Sequence, residues 1–483
     1  MARRARSSLR RDIGILGNFA FAYGDVAEGI YFTLGLVLVY ANAAATYAYL
    51  FATIAYVLTA LSYAELSSAY HQAGGAFTFA NRAFGRDIAF LAAWALLLDY
   101  LVTTAISAVA AVGYVGYFFP VLGQIATVVT VFVVVGLLVL NVAGIAGSAR
   151  FSYILVLFDI IGEAVVLTIG FLFAYHPAVN PSAHIGTTPS YPNFLYAVTI
   201  AMSSYLGIEV VSQSAGETKN AGKNIPRAVF LISIAVVAAT LAYSTLALGV
   251  VPYQALINNP SAVNYPVSFI ASMLPLGWVL GGLTAILGIS VLLVAANAGI
   301  VGISRIAYSM SEGGVIPAFF GRIHPKYRTP YVSIIIFASI AIAIVVVFSA
   351  QLDILAEMYN FGALIAYMIV GLSLIALRNK ETNLVRPFKT PWSIRVPGRS
   401  LDSNGNRKQY EVPILAAGCF AADLIIWLLV VILHPVGREV GTLWIVLGLM
   451  LYYLYTRVRR GRGPEKAVRE FLGSEPPVRE AGG

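Results

Sequence analysis

Apolar residues run through this chain in long blocks, not in the alternation of a strand or the one-sided spacing of a surface helix. Twelve blocks stand out, over approximately 13–39, 44–69, 88–117, 123–143, 151–174, 194–214, 228–251, 278–303, 331–350, 353–377, 413–433 and 439–456. An α-helix needs about 20 such residues to cross the hydrocarbon layer of a bilayer. The pattern therefore predicts an all-α polytopic membrane protein with twelve transmembrane helices. Connections between the blocks are mostly short. The longest, 378–411, is polar, basic and rich in turn formers, and reads as a cytoplasmic loop ahead of helices eleven and twelve, 412–456.

Two blocks are interrupted. The first contains AYGDVAEGIYF, residues 22–32, with Gly24, Asp25, Glu28 and Gly29 in its middle. The sixth carries Ser203, Ser204 and Gly207, with Glu209 directly after. Glycine weakens a helix by about 1 kcal/mol relative to alanine, and serine hydroxyls compete for backbone groups. The interrupted blocks are five apart. That spacing predicts two inverted five-helix repeats, 13–175 and 191–377, each opening with a discontinuous helix. The glycines are expected to permit the breaks. The broken ends would offer free N–H groups to an anion and free carbonyls to a cation at mid-membrane.

Composition agrees with the pattern: 59% of the 483 residues are hydrophobic and 11% charged, with a mean hydropathy of +0.81. The single cysteine, Cys419, excludes an internal disulfide. The basic head, Arg3 to Arg11 within 1–12, leads into a block too long for a signal-peptide core, so no cleavable signal is expected. The formal charge of +9 invites a nucleic-acid reading, but its distribution argues otherwise. If the helices alternate, all Lys and Arg except Arg438 fall on one side. This is the positive-inside pattern, which places both termini in the cytoplasm of a cell-membrane protein. The basic tail, 457–483, is then a topology signal that meets anionic lipid. The bilayer is the implied partner and nucleic acid is not; the oligomeric state is undetermined.

Acids, unlike bases, do fall inside the blocks: Asp25, Glu28, Asp99, Asp159, Glu163, Glu209, Glu357 and Asp423. An ionised carboxylate at mid-membrane costs about 3 kcal/mol or more without a partner. Each must be protonated, wet, or neutralised by a cation that comes and goes, which favours a cation-linked transporter. Asp99, Thr103 and Ser107 make an i, i+4, i+8 stripe that must face protein or water; Asp159 and Glu163 are likewise i, i+4. Glu65, near a block end, reads as an interface residue, Glu357 as a wet one, and Asp423 as a helix–helix hydrogen bonder. The five histidines are too scattered for a site, and no P-loop, catalytic triad or metal-ligand cluster is visible. An enzyme is not expected.

Four stretches resemble the amino acid–polyamine–organocation transporters, which share the leucine-transporter fold. They are EGIYFTLG, SYAELSSAYHQAGGAFTFANRAFG, SSYLGIEVVSQSAGETKNAGKNIPRA and SRIAYSMSEGGVIPAFFGRIHPKYRTP. The resemblance spans about residues 12–395. It implies a secondary transporter of amino acids, coupled to H+ or Na+, with K+ or a polyamine or other organic cation as alternative cargo. By analogy, a substrate carboxylate would meet amides near Glu28, Gly29 and Ile30, and its amino group carbonyls near Tyr23 and Ser203. Ser204, Tyr205 and Gly207 fall where the family places substrate contacts and an aromatic gate, and Glu209 on a gating carboxylate. For potassium, Asp25 and Tyr31 would act with Asp99 and Thr103.

Two positions depart from the family pattern. Glu28 stands where a small residue is usual. Asp159 stands where some sodium-independent members carry a lysine, and with Ser290 it is a candidate Na+ ligand. Beyond a coupling ion, no cofactor is implied.

Overall fold

The computed structural model describes residues 14–70, 74–144, 149–176, 189–213, 215, 218–250, 259–401 and 407–461. The arginines of the head and most of the basic tail lie outside them. The first block forms α1, Ile15–Val26, and α2, Gly29–Ala41. There follow α3, Ala45–Ala69, α4, Gly75–Phe84, α5, Arg86–Val115, α6, Ala126–Val142, and α7, Ala149–Ile169. The sixth block forms α8, Tyr191–Met202, and the short α9, Val210–Gln213. Then come α10, Ala221–Val250, two short helices α11, Pro260–Asn264, and α12, Pro266–Ser272, and α13, Gly277–Glu312. The chain finishes with α14, Tyr331–Val347, α15, Leu352–Lys380, α16, Ile414–Leu433, and α17, Pro435–Gly461.

Among the described residues, ten helical stretches are long and apolar enough to cross a membrane. One of them, Ile15–Ala69, is a 55-residue run that joins α1, α2 and α3. At 1.5 Å per residue it would extend about 80 Å, far more than one crossing. It is interrupted at Asn42, whose left-handed φ of 49° ends α2. The molecule is an all-α polytopic membrane protein.

Bilayer contact explains the surface. Phe132, Ile234, Trp278, Ile432 and Leu443 are exposed on outer helices, where lipid replaces water as their solvent. In lipid, helices associate through close packing of small residues more than through apolar burial. α5 is the packing centre, buried along most of its length between α13 and α15. A side chain at Gly299 would collide with Thr104, one at Gly302 with the Tyr100 ring, and one at Gly362 with the Ala95 carbonyl. On its outer side α5 meets α17, where Trp94 and Trp444 stack with ring centroids 4.7 Å apart. Trp94 Nε1 donates to the Trp444 carbonyl at 2.9 Å, and Trp444 Nε1 to the Trp94 carbonyl at 2.8 Å.

Three expectations change. The stretch between the second and third blocks is expected to be a plain connection, yet α4 occupies Gly75–Phe84. It buries Ala76, Phe77, Phe79, Ala80 and Ala83 and leaves Arg82 outside. The loop 378–411 is more than a connector, because β1, Ser393–Leu401, pairs antiparallel with β2, Arg407–Pro413. Glu65, expected at an interface, is buried. Arg378, in the last turn of α15, donates to it from Nε at 2.8 Å and from Nη2 at 2.5 Å. Arg386 Nη1 lies 3.6 Å from the same carboxylate. Both guanidinium groups reach Glu65 from segments far away in sequence, which makes a buried carboxylate tolerable there.

Candidate substrate and coupling site

The two interrupted segments meet face to face, but the interruptions differ. Between α1 and α2 only Ala27 and Glu28 leave the helix, both with helical dihedrals, and no side chain caps α2. Gly24 and Gly29 do not supply unusual backbone angles here. Gly29 supplies proximity, since a Cβ on it would strike the Ser204 backbone, and a Cβ on Gly24 would meet the Val156 and Val294 methyls at 3.3 Å, a tight contact that small shifts of those side chains can relieve. The sixth segment is the more deeply broken. Ser203–Tyr205 tighten into a 3-10 turn, Leu206 is extended, and Gly207 takes φ +106°. Only glycine adopts that angle without strain. A Cβ at Gly207 would lie 2.7 Å from Oδ2 of Asp25, so the first segment's acid rests against the sixth segment's break.

Around this contact four carboxylates gather: Asp25, Glu28, Asp99 and Glu209. All are buried. Asp25 lies within electrostatic range of Glu209 and Glu28, and Asp99 within range of all three others. Asp25 Oδ1, both Glu28 oxygens, Asp99 Oδ1 and Glu209 Oε1 accept no hydrogen bond. Among the described residues no Lys or Arg forms an ion pair with any of the four. Glu209 Oε2 takes its hydrogen bond from Tyr367 at 2.6 Å, and the same phenol oxygen receives the Gly207 amide at 3.2 Å. The walls are aromatic. Tyr63, Tyr100, Tyr359 and Tyr367 are buried there, with Tyr63 and Tyr367 edge to face at 5.7 Å.

Thr103 and Ser107 turn their hydroxyls back to the Asp99 and Thr103 carbonyls of their own helix. Ile30 is buried one residue past Gly29. Ser203 Oγ accepts from Asn360 Nδ2 at 2.8 Å, while a second bond from Asn360 holds the Thr199 carbonyl at 2.7 Å. Ser204 Oγ is bonded to Thr33 Oγ1. Tyr205, the residue the resemblance assigns to a gate, is anchored away from the carboxylates. Its ring stacks on Tyr56 at 5.0 Å, and its hydroxyl bonds Thr53 and Thr240 at 2.8 Å each.

A second acidic pair lies on α7. Tyr31 Oη donates to Asp159 Oδ1 at 2.7 Å, and Tyr23 Oη to Glu163 Oε2 at 3.0 Å. Tyr23 precedes the interruption and Tyr31 follows it, so each half of the first segment is tied to its own carboxylate. Asp159 Oδ2 and Glu163 Oε1 remain without partners. Ser290 donates its hydroxyl to the Ile286 carbonyl of its own helix, and Asp159 takes its hydrogen bond from Tyr31. No group of three or more His, Cys, Asp or Glu among the described residues is arranged to hold a metal ion.

Several site residues escape the sequence reading: Asn360, Tyr367, Gln213, which bonds Tyr100, and the phenol of Tyr23. An asparagine three positions after Glu357 in the block 353–377 was the available signal for the first. Glu357 and Asp423 stay outside the site. Glu357 accepts from Tyr196 at 2.8 Å, and Asp423 from Thr59 at 2.9 Å and from Cys419 at 3.3 Å.

Comparison with known proteins now bears on this arrangement. A family model described as amino acid permease matches residues 13–455. The chain is 26% identical over 315 residues to the branched-chain amino acid permease BcaP of Bacillus subtilis (strain 168), covering 64% of this chain and 60% of the relative. It is 27% identical over 317 residues to the methylthioribose transporter of the same organism, with the same coverage. To the low-affinity putrescine importer PlaP of Escherichia coli (strain K12) it is 29% identical over 326 residues, 64% of this chain and 68% of the relative. The chain thus spans about three fifths of the length of the first two.

Proposed function

Because the chain belongs to the amino acid permease family, and is a membrane transporter and not an enzyme, we propose that it carries a small amine-bearing solute through the cell membrane by alternating access. The solute is an amino acid or a related organic cation. The observation that carries this reading is the group of four buried carboxylates, without an ion pair to any Lys or Arg among the described residues, where the two interrupted segments meet. Buried charge of one sign is costly; a bound ammonium group offsets it, and the tyrosine rings add cation–π attraction.

The same carboxylates argue about charge. A zwitterion brings one positive and one negative group, and Glu28 stands beside the amides that would hold the latter. A solute with net positive charge, a basic amino acid or a diamine, suits the four acids better than a branched-chain amino acid. Potassium is the second reading. It needs oxygen ligands free to turn inward, whereas Tyr31 is committed to Asp159 and Thr103 to its own helix.

In this reading the two tyrosine–carboxylate pairs on α7 are the coupling site for H+ or Na+. Loading Asp159 or Glu163 alters its grip on Tyr31 or Tyr23, and so the set of one half of the first segment. Twelve crossings, obtained by counting α1–α2 and α3 separately and including α14, fit two inverted five-helix repeats with α16 and α17 appended. The bias of Lys and Arg supports cytoplasmic termini.

Uptake into proteoliposomes tests the proposal, with arginine, lysine, putrescine, leucine and K+ supplied under H+ or Na+ gradients. Accumulation of the basic solutes at least tenfold above leucine is expected. Accumulation of K+ alone, or of nothing under any gradient, would overturn it.

A further inference from the structure

Away from the central site, five charges form an alternating chain beneath the β1–β2 hairpin. Arg386 Nη1 faces Glu65 at 3.6 Å, and Glu65 is doubly bonded to Arg378. Arg378 Nη1 passes on to Glu411 at 2.9 Å, and Lys389 Nζ closes on Glu411 at 2.7 Å. The chain thus begins and ends with a cation and sums to +1.

The middle of the chain is saturated. Arg378 also donates to Ser393 and Thr390, so its guanidinium has no donor to spare. The ends are not saturated. Arg386 is nine-tenths buried, yet its Nη1 makes no hydrogen bond, its Nη2 being spent on the Leu377 carbonyl at 2.9 Å. Lys389 is half exposed, and its ammonium carries three donors for the one carboxylate it meets. Both ends line one solvent-open cleft, together with Arg378, Thr382, Leu384 and Glu411.

We propose that this cleft binds a phosphate-bearing anion, bridged between Arg386 and Lys389. Such a ligand would close the open chain of charges into a ring and offset its surplus positive charge. Phosphate suits the site because a guanidinium matches it in a fork and an ammonium as a point charge. Glu65 lies on α3, Arg378 on α15 and Glu411 on β2, so a bound anion would fasten the hairpin to two membrane helices. Two sources share this chemistry: the headgroup of an anionic phospholipid and a soluble phosphate compound.

The test uses the purified full-length protein. Thermal unfolding in inorganic phosphate against chloride at matched ionic strength probes the soluble source. Retention of phosphatidylglycerol against phosphatidylcholine through detergent exchange, read by native mass spectrometry, probes the lipid. Saturable preference for phosphate or for phosphatidylglycerol is expected, and which of the two is seen identifies the source. Lys389→Gln, at a half-exposed position that leaves the fold intact, should weaken that binding about three- to tenfold. Glu411→Gln, which raises the surplus charge, should strengthen it by a similar factor. No saturable preference in either arm, or variants that bind like the wild type, would overturn the proposal.

Discussion

Tyr31 gives its phenolic hydrogen to Oδ1 of Asp159 across 2.7 Å, which fixes α2 to α7. A buried hydrogen bond to a charged group contributes about 1.5–3 kcal/mol. Asp159→Asn should therefore cut gradient-driven accumulation by about tenfold or more, while counterflow of preloaded solute persists. Tyr31→Phe should produce a smaller loss of the same kind. Uptake with and without a gradient separates the two rates; equal losses in both would take Asp159 out of the coupling step.

The glycines of the two interrupted segments should differ in their tolerance of alanine. Gly207→Ala combines φ +106° with a methyl 2.7 Å from the Asp25 carboxylate. Strain of this kind costs about 1–3 kcal/mol. Gly29→Ala would force α2 off the Ser204 backbone, whereas Gly24→Ala meets only valine methyls at 3.3 Å. Transport should be abolished in the first two and retained in the third. Unfolding temperatures and uptake measured side by side would check the ranking.

For Tyr205 the decisive change is Tyr205→Phe. The ring stays on Tyr56 while the bonds to Thr53 and Thr240 are lost. An anchor predicts a stability loss of about 1–2 kcal/mol with KM nearly unchanged. A gate predicts the reverse, a raised KM in a stable protein.

Arg378 and Glu65 should behave as a buried pair. Removing one partner strands the other's charge, which typically costs about 3–5 kcal/mol. Arg378→Met and Glu65→Gln should each lower expression and unfolding temperature sharply. The double variant should recover part of the loss, and a double variant no better than either single would contradict the pairing.

The hairpin should be insensitive to mild acid. The hydrogen bond from Lys389, with Ser393 and the charge of Arg378 behind it, outweighs the opposing effect of burial and holds the Glu411 carboxyl at about 2. A carboxyl held down in the folded state stabilises above its ordinary range of about 4.3, and that contribution is lost as pH falls toward 2. The gap in unfolding temperature between the wild type and Glu411→Gln should stay constant from pH 5 to 8 and narrow below about pH 4. A gap that changes between pH 5 and 8 would assign the titration elsewhere.

What could be read from the sequence was what depends on local composition. An apolar block announces a membrane helix wherever it sits, and an acid within one announces itself by its cost. So Asp25, Glu28, Asp99, Asp159 and Glu163 were visible as residues, and Gly207 as a break. Their partners were not, because Tyr31 and Asp159 are 128 positions apart and Tyr23 and Glu163 are 140 apart. The partners of Glu65 were hidden for the same reason: its neighbours in sequence are uncharged, and its cations arrive from the end of α15 and the following loop. The hairpin was hidden by its own turn-forming composition, which describes a loop equally well.

The paired indoles of Trp94 and Trp444 carry a mechanical consequence. Each ring is both bolt and nut to the other, so any slide or roll of α17 along α5 would break the stack and both hydrogen bonds. The two form a keel. Under the proposed alternating access, a rocking bundle would work against that spine, and trimming the chain ahead of Pro435 would remove its backing.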